Sequence, residues 1–455
     1  MFCNSNIFIT TMISIIMTVV IIGLGFVGLT LGLALADKGV KVYGIETNEK
    51  SFEKLSKGIT TFNEKGIEEY FKRNLGKTFH VFSKLEDIPS SPEIYVICVA
   101  TPVFGGKPNM TQLKAATESV GKYMTGTELI IVRSTCPVGT TREFVLPILE
   151  SEIRKRSISK SIKIAFAPER TAEGVALIEL NDLPQIVGGI DEECIIKAMD
   201  LFRKLTPTVI EVSSMETAEM IKLIDNSFRD VRFAYANEIA VLAEKLGVDA
   251  YECIKKANIH YPRNNIALPS PGVGGPCLSK DPYLLAGSKD ILKSIPNYQS
   301  IVLTGRNVNE AIPEILVEKI KKNMSNLRKS NDNLKVFVMG FAFKGEPETS
   351  DIRDSPTLTV VKKLGSNFKI YGHDPIVSNE DIKNTNAIPT DIESGFNSAD
   401  CVIIMNNHKV YKNMDIQKLL KTTSKPCLFV DCWRLFDKKL FENSSEIKYT
   451  GIGIE

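Results

Sequence analysis

The sequence has almost no net charge. Its 56 lysines and arginines against 54 aspartates and glutamates leave +2, too weak a field to hold nucleic acid or an anionic membrane, so neither is expected as a partner. Any phosphate must be bound by a few local cations. Histidine is scarce: the four, at 80, 260, 373 and 408, are scattered and none has a second ligand at helical spacing, so no metal site is expected. The nine cysteines contain no CxxC pair, which argues against a zinc ribbon or a disulfide framework and for reduced thiols in a cytoplasmic enzyme. The apolar N-terminus, MFCNSNIFITTMISIIM, has no basic segment and no small-residue cleavage site, so it reads as neither a signal peptide nor a membrane span. Met12 or Met17 would serve as a start, and residues 1–17 are taken as an extension or a misassigned beginning.

What remains is a soluble globular composition, 43% hydrophobic and 24% charged, in a chain of 455 residues, too long for one core and predicted to form two or three domains. From Thr18, TVVIIGLGFVGLTLGLALADKGVKVYGIET reads as buried strand, glycine turn, helix and second strand. Further strands in EIYVICVATP, ELIIVRST, IKIAFAPER and QIVGGI extend a doubly wound parallel sheet over residues 18–206. Helical patterns over about 214–246 and 297–325, the second carrying Pro313, mark a central helical and dimerisation domain at 207–310. The run KKNMSNLRKSNDN reads as a linker. Strands in LKVFVMGFAFK, FKIYGHDP, ADCVIIMNNH and PCLFVDCWR then build a second Rossmann-like unit within 311–455. The expected fold is thus α/β, two doubly wound domains joined by helices.

Three motifs carry chemistry. Gly23, Gly25 and Gly28 form GxGxxG between strand and helix, and Glu46 closes the next strand 18 residues past Gly28. The glycines admit a pyrophosphate at the helix N-terminus, and the carboxylate favours the ribose of NAD over the 2′-phosphate of NADP. Lys222, Asn226 and Arg229 fall on one helical stripe. That stripe either faces a polar ligand or is a solvated face supported by Glu219 and Asp225, and the pattern alone leaves both open. In PSPGVGGPCLSKDP, glycine and proline breakers surround Cys277, with Lys280 and Asp281 directly after it. A cation so close is expected to lower the thiol pKa and favour a nucleophile.

Together, GVGGPCLSKDP, APERTAEG, STCPVGTT, AEMIKLIDNSFRDVRFAYANE and GFAFKGEPETSDIRDSP resemble, in order, the signatures of the UDP-glucose/GDP-mannose dehydrogenase superfamily. Within it, PER, NSFRDV and YPRNNI look most like the UDP-N-acetylmannosamine dehydrogenases. The resemblance implies NAD-dependent four-electron oxidation of a UDP-sugar C6 alcohol to the uronate through a cysteine thiohemiacetal and thioester, as in polysaccharide biosynthesis. It implies Cys277 as nucleophile, with Lys222, Asn226, Glu169, Asp281 and Thr135 as catalytic companions. Gly23, Gly25, Phe26, Val27, Gly28, Glu46, Thr101, Thr135 and Arg353 would hold NAD. Arg170, Thr171, Lys222, Asn226, Arg229, Tyr261, Arg263, Gly274, Phe343 and Lys344 would hold the UDP-sugar, with Arg434 as a lesser nucleotide contact. A homodimer or homotetramer is implied, with Arg263 near the subunit boundary. Departures from the pattern are Glu46 for the usual aspartate, and Tyr261 and Pro276 where histidines are common. The last two bear on which sugar is used, UDP-N-acetylmannosamine or alternatively UDP-GlcNAc or UDP-glucose. Competing readings are a two-electron dehydrogenase of the 6-phosphogluconate or hydroxyacid type, which needs no thiol, and a non-catalytic nucleotide-sugar sensor, which needs none of the catalytic set.

Overall fold

The computed structural model describes residues 17–287, 292, 294–327 and 334–454. The first sheet is built from β1 (Thr18–Ile22), β2 (Lys41–Ile45), β3 (Phe79–Phe82), β4 (Ile94–Ile97), β7 (Leu129–Val132), β8 (Lys163–Phe166), β9 (Gln185–Gly189) and β10 (Val209–Glu211). A two-stranded hairpin, β5 (Val103–Phe104) with β6 (Lys107–Pro108), stands outside it. The sheet order is β10-β9-β8-β7-β4-β1-β2-β3. β1, β4 and β7 are buried along their whole or nearly whole length because helices cover both faces, which is why they are continuous apolar runs. The expectation of a wholly parallel sheet needs one correction: β9 runs antiparallel to β8, and β10 pairs parallel to β9 beyond it.

The second sheet is built from β11 (Lys335–Met339), β12 (Lys369–His373), β13 (Ile388–Pro389), β14 (Cys401–Ile404), β15 (Cys427–Asp431) and β16 (Ile447–Thr450). Every pairing is parallel, in the order β13-β12-β11-β14-β15-β16. Its pattern repeats that of the first six parallel strands of the N-terminal sheet, with the chain's direction of progress reversing between β11 and β14 as it does between β1 and β4. Ligands of such sheets sit at that crevice, beyond the carboxyl ends of the strands.

Between the sheets lie two long helices. Met215–Lys245 begins where the Ser214 side chain accepts the Thr217 N–H and ends before Gly247, whose φ is +70°. Ile301–Asn326, capped by Ser300, packs against it closely enough that a Cβ on Gly305 would come within 3.3 Å of Ala234. This second helix runs through residues 310 and 311 and takes in Lys321–Asn326, so the first part of the expected linker is helix. Residues 328–333, the rest of that linker, and residues 1–16 of the N-terminal extension lie outside the described residues. Among the described residues no helix is long and apolar enough to cross a membrane.

The glycine turn shows why each glycine stands where it does. Gly23 has φ +92°, and a Cβ on Gly28 would lie 1.9 Å from the Gly23 carbonyl oxygen, whereas around Gly25 nothing lies within 4 Å. Gly28→Ala is therefore expected to destabilise the fold by about 1–3 kcal/mol in thermal or denaturant unfolding. Gly25→Ala is expected to unfold like the wild type and to lose dinucleotide affinity. Equal stability of the two variants would refute this division of roles.

Candidate active site

The helix Met215–Lys245 supplies the polar stripe. Lys222 and Asn226 are buried, at 7% and 5% exposure, in the first half of the helix. Glu219 and Asp225 do not support a solvated face. Glu219 turns to the N-terminal domain, accepting from Gly139 N, Thr141 N and Thr141 Oγ1 at 2.5–2.8 Å, and Asp225 pairs with Arg170 at 2.9 Å. The stripe faces the protein interior and a ligand cleft. Asn226 Nδ2 donates to Asp281 Oδ2 at 2.5 Å, leaving its second N–H available. Lys222 has no hydrogen-bonded partner among the described residues.

The cysteine loop meets this stripe from above. Gly272 and Gly275 take φ of +114° and +88°, backbone that L side chains rarely adopt. A Cβ on Gly274 would strike the Asp354 carbonyl at 2.2 Å, and one on Gly275 the Phe343 ring at 2.7 Å. Gly274 and Phe343 thus seat the loop on the C-terminal domain. The Cys277 carbonyl accepts Asp281 N at 2.9 Å, which fixes thiol and carboxylate to one turn. Cys277 keeps surface open to solvent, but protein crowds its other sides. That desolvation, with the Asp281 carboxylate, pushes the thiol above its usual value against the pull of Lys222 and Lys280. The expected net lowering does not occur because desolvation, with the Asp281 carboxylate beside it, outweighs the two lysines; the Lys280 ammonium itself lies 2.7 Å from the fully buried Asp281.

Glu169 follows β8 and is 4% exposed. Its carboxylate accepts Arg133 Nη2 at 2.7 Å and Nε at 3.3 Å, Arg170 N at 2.7 Å and Thr171 N at 2.8 Å. Burial would raise its pKa, but Arg133, the Thr171 N–H and Lys222 outweigh it and hold the group below the usual carboxylate range. The Lys222 charge acts on both Glu169 and Cys277, lowering each. Arg133, 1% exposed directly after β7, was missed in the sequence pattern, because a charge following the apolar run LIIV reads equally as a solvated strand end. The Thr171 hydroxyl beside Glu169 is buried without a partner.

Arg170, Lys222, Asn226 and Arg229 line one cleft of about 360 Å³. Arg232 joins them, a cation the sequence pattern passed over, tethered to Asn265 by bonds of 2.9 and 3.0 Å to its carbonyl and side chain. Tyr261 and Arg263 do not line this cleft. They are exposed on the loop that holds Asn265, with the guanidinium 4.4 Å from the Tyr261 ring centroid. Lys344 lies across the domain boundary, donating to the Glu173 carbonyl at 2.8 Å. Arg434 is engaged elsewhere: its guanidinium pairs with Asp249 at 2.9 Å, so the expected nucleotide contact is replaced by an anchor for the helix Ala250–Asn258 that Asp249 caps.

The dinucleotide end also fits its ligand. No side chain caps the helix Phe26–Asp37, whose first turn, Phe26 and Val27 included, holds no acid, so its free N–H groups suit a pyrophosphate. Glu46 lies directly after β2, and the Thr101 hydroxyl donates to the Thr135 carbonyl at the ends of neighbouring strands. Arg353 chelates Asp351 and lies 3.6 Å from Glu173. Desolvation and the Asp351 carboxylate push Glu173 up to about 7, against Arg353 and Lys344. The fold therefore favours protonated Glu173. That contribution is full below the unfolded value of 4.5 and is lost as pH rises through about 7. Glu173→Gln is expected to be more stable than the ligand-free wild type at pH 8, by about 2 kcal/mol, and to show no advantage at pH 4. Parallel unfolding curves at the two pH values would exclude this.

Known proteins place the arrangement. Residues 17–206 match the NAD binding domain, 216–311 the central domain and 337–438 the UDP binding domain of the UDP-glucose/GDP-mannose dehydrogenase family. The chain is similar to a UDP-N-acetyl-D-mannosamine dehydrogenase of Methanocaldococcus jannaschii, 32% identical with 93% of both chains covered. It is also similar to one of Pyrococcus horikoshii, 33% identical with 89% of this chain and 93% of the other covered. The solved structure of a UDP-D-ManNAc dehydrogenase from Pyrococcus horikoshii superposes with a TM-score of 0.84 at 29% identity, covering 96% of this chain and 99% of that one. The chain belongs to the UDP-glucose/GDP-mannose dehydrogenase family, with an NAD-binding domain, a central domain and a UDP-binding domain.

Proposed function

We propose that this enzyme oxidises the C6 alcohol of UDP-N-acetyl-D-mannosamine to the carboxylate, with Cys277 as the covalent nucleophile. The observation that carries the reading is the junction of Lys222, Asn226 and Asp281 beside the cysteine turn, at a cleft that Arg170, Arg229 and Arg232 also line, together with Asp225 and the apolar Leu183, Ile224 and Phe228. The similarity to N-acetylmannosamine dehydrogenases supports the sugar. Arg170, Arg229 and Lys344 meet the diphosphate and uridine end, which resolves the lack of global charge. Thr171, whose buried hydroxyl has no partner among the described residues, adds a further polar contact.

NAD, held at Gly23, Gly25, Gly28 and Glu46 with Thr101, Thr135 and Arg353 nearby, supplies the hydride acceptor, and two equivalents take up the four electrons. Lys222, entering the step as the free amine, takes the hydroxyl proton and becomes the ammonium as C6 gives up its hydride and the aldehyde forms. The Cys277 sulfur then bonds to that carbon and its proton passes to the former carbonyl oxygen, giving a neutral thiohemiacetal. The free Asn226 N–H steadies developing charge on oxygen. After the second oxidation a water adds to the thioester and the thiol is released with the carboxylic acid, Asp281 orienting the water and Glu169 acting through its fixed charge.

The protein acts as a homo-oligomer in a reducing cytoplasm. Met220, Tyr235 and Leu242, with Leu246 just past its end, are exposed at helical spacing along Met215–Lys245, an apolar face that a second copy would bury.

Incubation with UDP-ManNAc, UDP-GlcNAc and UDP-glucose is expected to yield two NADH per sugar, with the highest kcat/KM for UDP-ManNAc. Cys277→Ala is expected to reduce uronate formation on the order of 10³-fold or more. One NADH per sugar, or full oxidation without Cys277, would return the protein to the two-electron class. Tyr235→Glu combined with Leu242→Glu is expected to reduce the sedimentation mass to that of one chain. An unchanged mass would exclude this helix face as the interface.

A further inference from the structure

The stripe that carries Lys222 and Asn226 continues one turn to Asp230, a fully buried carboxylate that the proposed reaction does not use. Its partner is Arg306 of the helix Ile301–Asn326, 2% exposed, whose Nη1 lies 2.8 Å from Asp230 Oδ1. The same guanidinium donates from Nη1 to the Leu278 carbonyl at 3.2 Å and from Nη2 to the Val273 carbonyl at 2.9 Å. Those two carbonyls bracket Cys277. Asn309, also on the second helix, donates to the Asp230 carbonyl and Oδ1 at 2.9 Å. Asn237 then donates to Asn309 Oδ1 at 2.9 Å and accepts Ser270 N at 2.8 Å. Buried polar groups of the two helices therefore grip the cysteine loop at residues 270, 273 and 278.

The loop needs such a grip. Its glycines and prolines make no ladder of their own, so carbonyls that face the interior must find donors elsewhere. A guanidinium answers two carbonyls and a carboxylate at once because its donors form a rigid planar fork, which a lysine ammonium does not. Buried ion pairs are weak sources of stability compared with apolar packing. The pair is better explained by the geometry it enforces.

We propose that Arg306 is a positioning residue for Cys277: neutralised by Asp230, its guanidinium fixes the cysteine loop so that the thiol meets the Lys222–Asn226 stripe. This rests on the reading of Cys277 as nucleophile. The test uses the full-length enzyme and two variants. Arg306→Lys keeps the charge and loses the fork. Arg306→Met with Asp230→Leu removes both buried charges and leaves unpaired only the exposed Glu310, which lies 3.2 Å from Arg306 Nε and can be solvated. Each is assayed for thermal unfolding, for kcat and KM with UDP-ManNAc and NAD, and for the pH profile of Cys277 alkylation by iodoacetamide, with Cys277→Ala as the blank.

At least one variant is expected to unfold cooperatively, keep a near-native KM, lose about 10- to 100-fold in kcat and show a displaced alkylation profile. A folded variant with wild-type kcat and wild-type alkylation overturns the proposal. So does failure of both variants to fold, which would assign the network to stability alone. Full oxidation by Cys277→Ala would instead remove the nucleophile reading, and the alkylation profile would still decide whether Arg306 sets the loop.

Discussion

Asp281 is a carboxylate with no solvent exposure, and much of the site's arrangement follows from supplying it with partners. An unpaired charge at that depth is strongly disfavoured, so its two oxygens must be met by donors. Lys280 and Asn226 meet them, one from the adjacent residue and one from the long central helix. That requirement draws the loop onto the helix. Because Asp281 N is bonded to the Cys277 carbonyl, it also brings the cysteine turn against the helix that carries Lys222. Desolvation there, with the Asp281 charge, outweighs the flanking cation and holds the thiol up.

The two sheets repeat one topology but contribute unequal parts. The N-terminal sheet carries the glycine turn and Glu46 at the carboxyl ends of β1 and β2 and Glu169 beyond β8. The C-terminal sheet sends its β11 loop back toward the first domain, where Lys344 reaches the Glu173 carbonyl and a Cβ on Gly174 would strike the Glu348 carbonyl at 2.3 Å. The cysteine loop sits between them, packed on Asp354 and Phe343 on one side and on the helices on the other. A cleft bounded by two domains in this way can enclose a long substrate while the reacting carbon stays over a rigid helix.

The buried parts of this architecture were legible in the sequence because burial on both faces leaves an apolar run. β1, β4, β7, β11, β14 and β15 were recognisable on that ground. β3, β10, β13 and β16 were not: they are short or half-exposed strands at or near sheet edges, and β10 has two exposed residues of three. The reversal of β9 left no trace, since strand direction is set by the connection and not by composition. Among site residues, those in glycine-rich turns or on a polar stripe could be read directly. Arg133, Arg306 and Asp230 could not, because a buried charge looks like a surface charge until its partner, 36 residues or more away in sequence, is brought beside it.

Glu169 illustrates what that hidden partner does to chemistry. A carboxylate offers about four acceptor positions, and Arg133 Nε, Arg133 Nη2, Arg170 N and Thr171 N supply four donors. With its pKa held down as well, the group is poorly disposed to take a proton from water in the ground state. Its stronger effect is electrostatic, a fixed negative charge facing Lys222. Asp281 is similarly engaged through both oxygens. Lys222, buried and without a hydrogen-bonded partner among the described residues, is left as the group whose proton can move without breaking an existing network. Proton traffic in the proposed reaction therefore runs through the lysine, with the two carboxylates holding its charge in place.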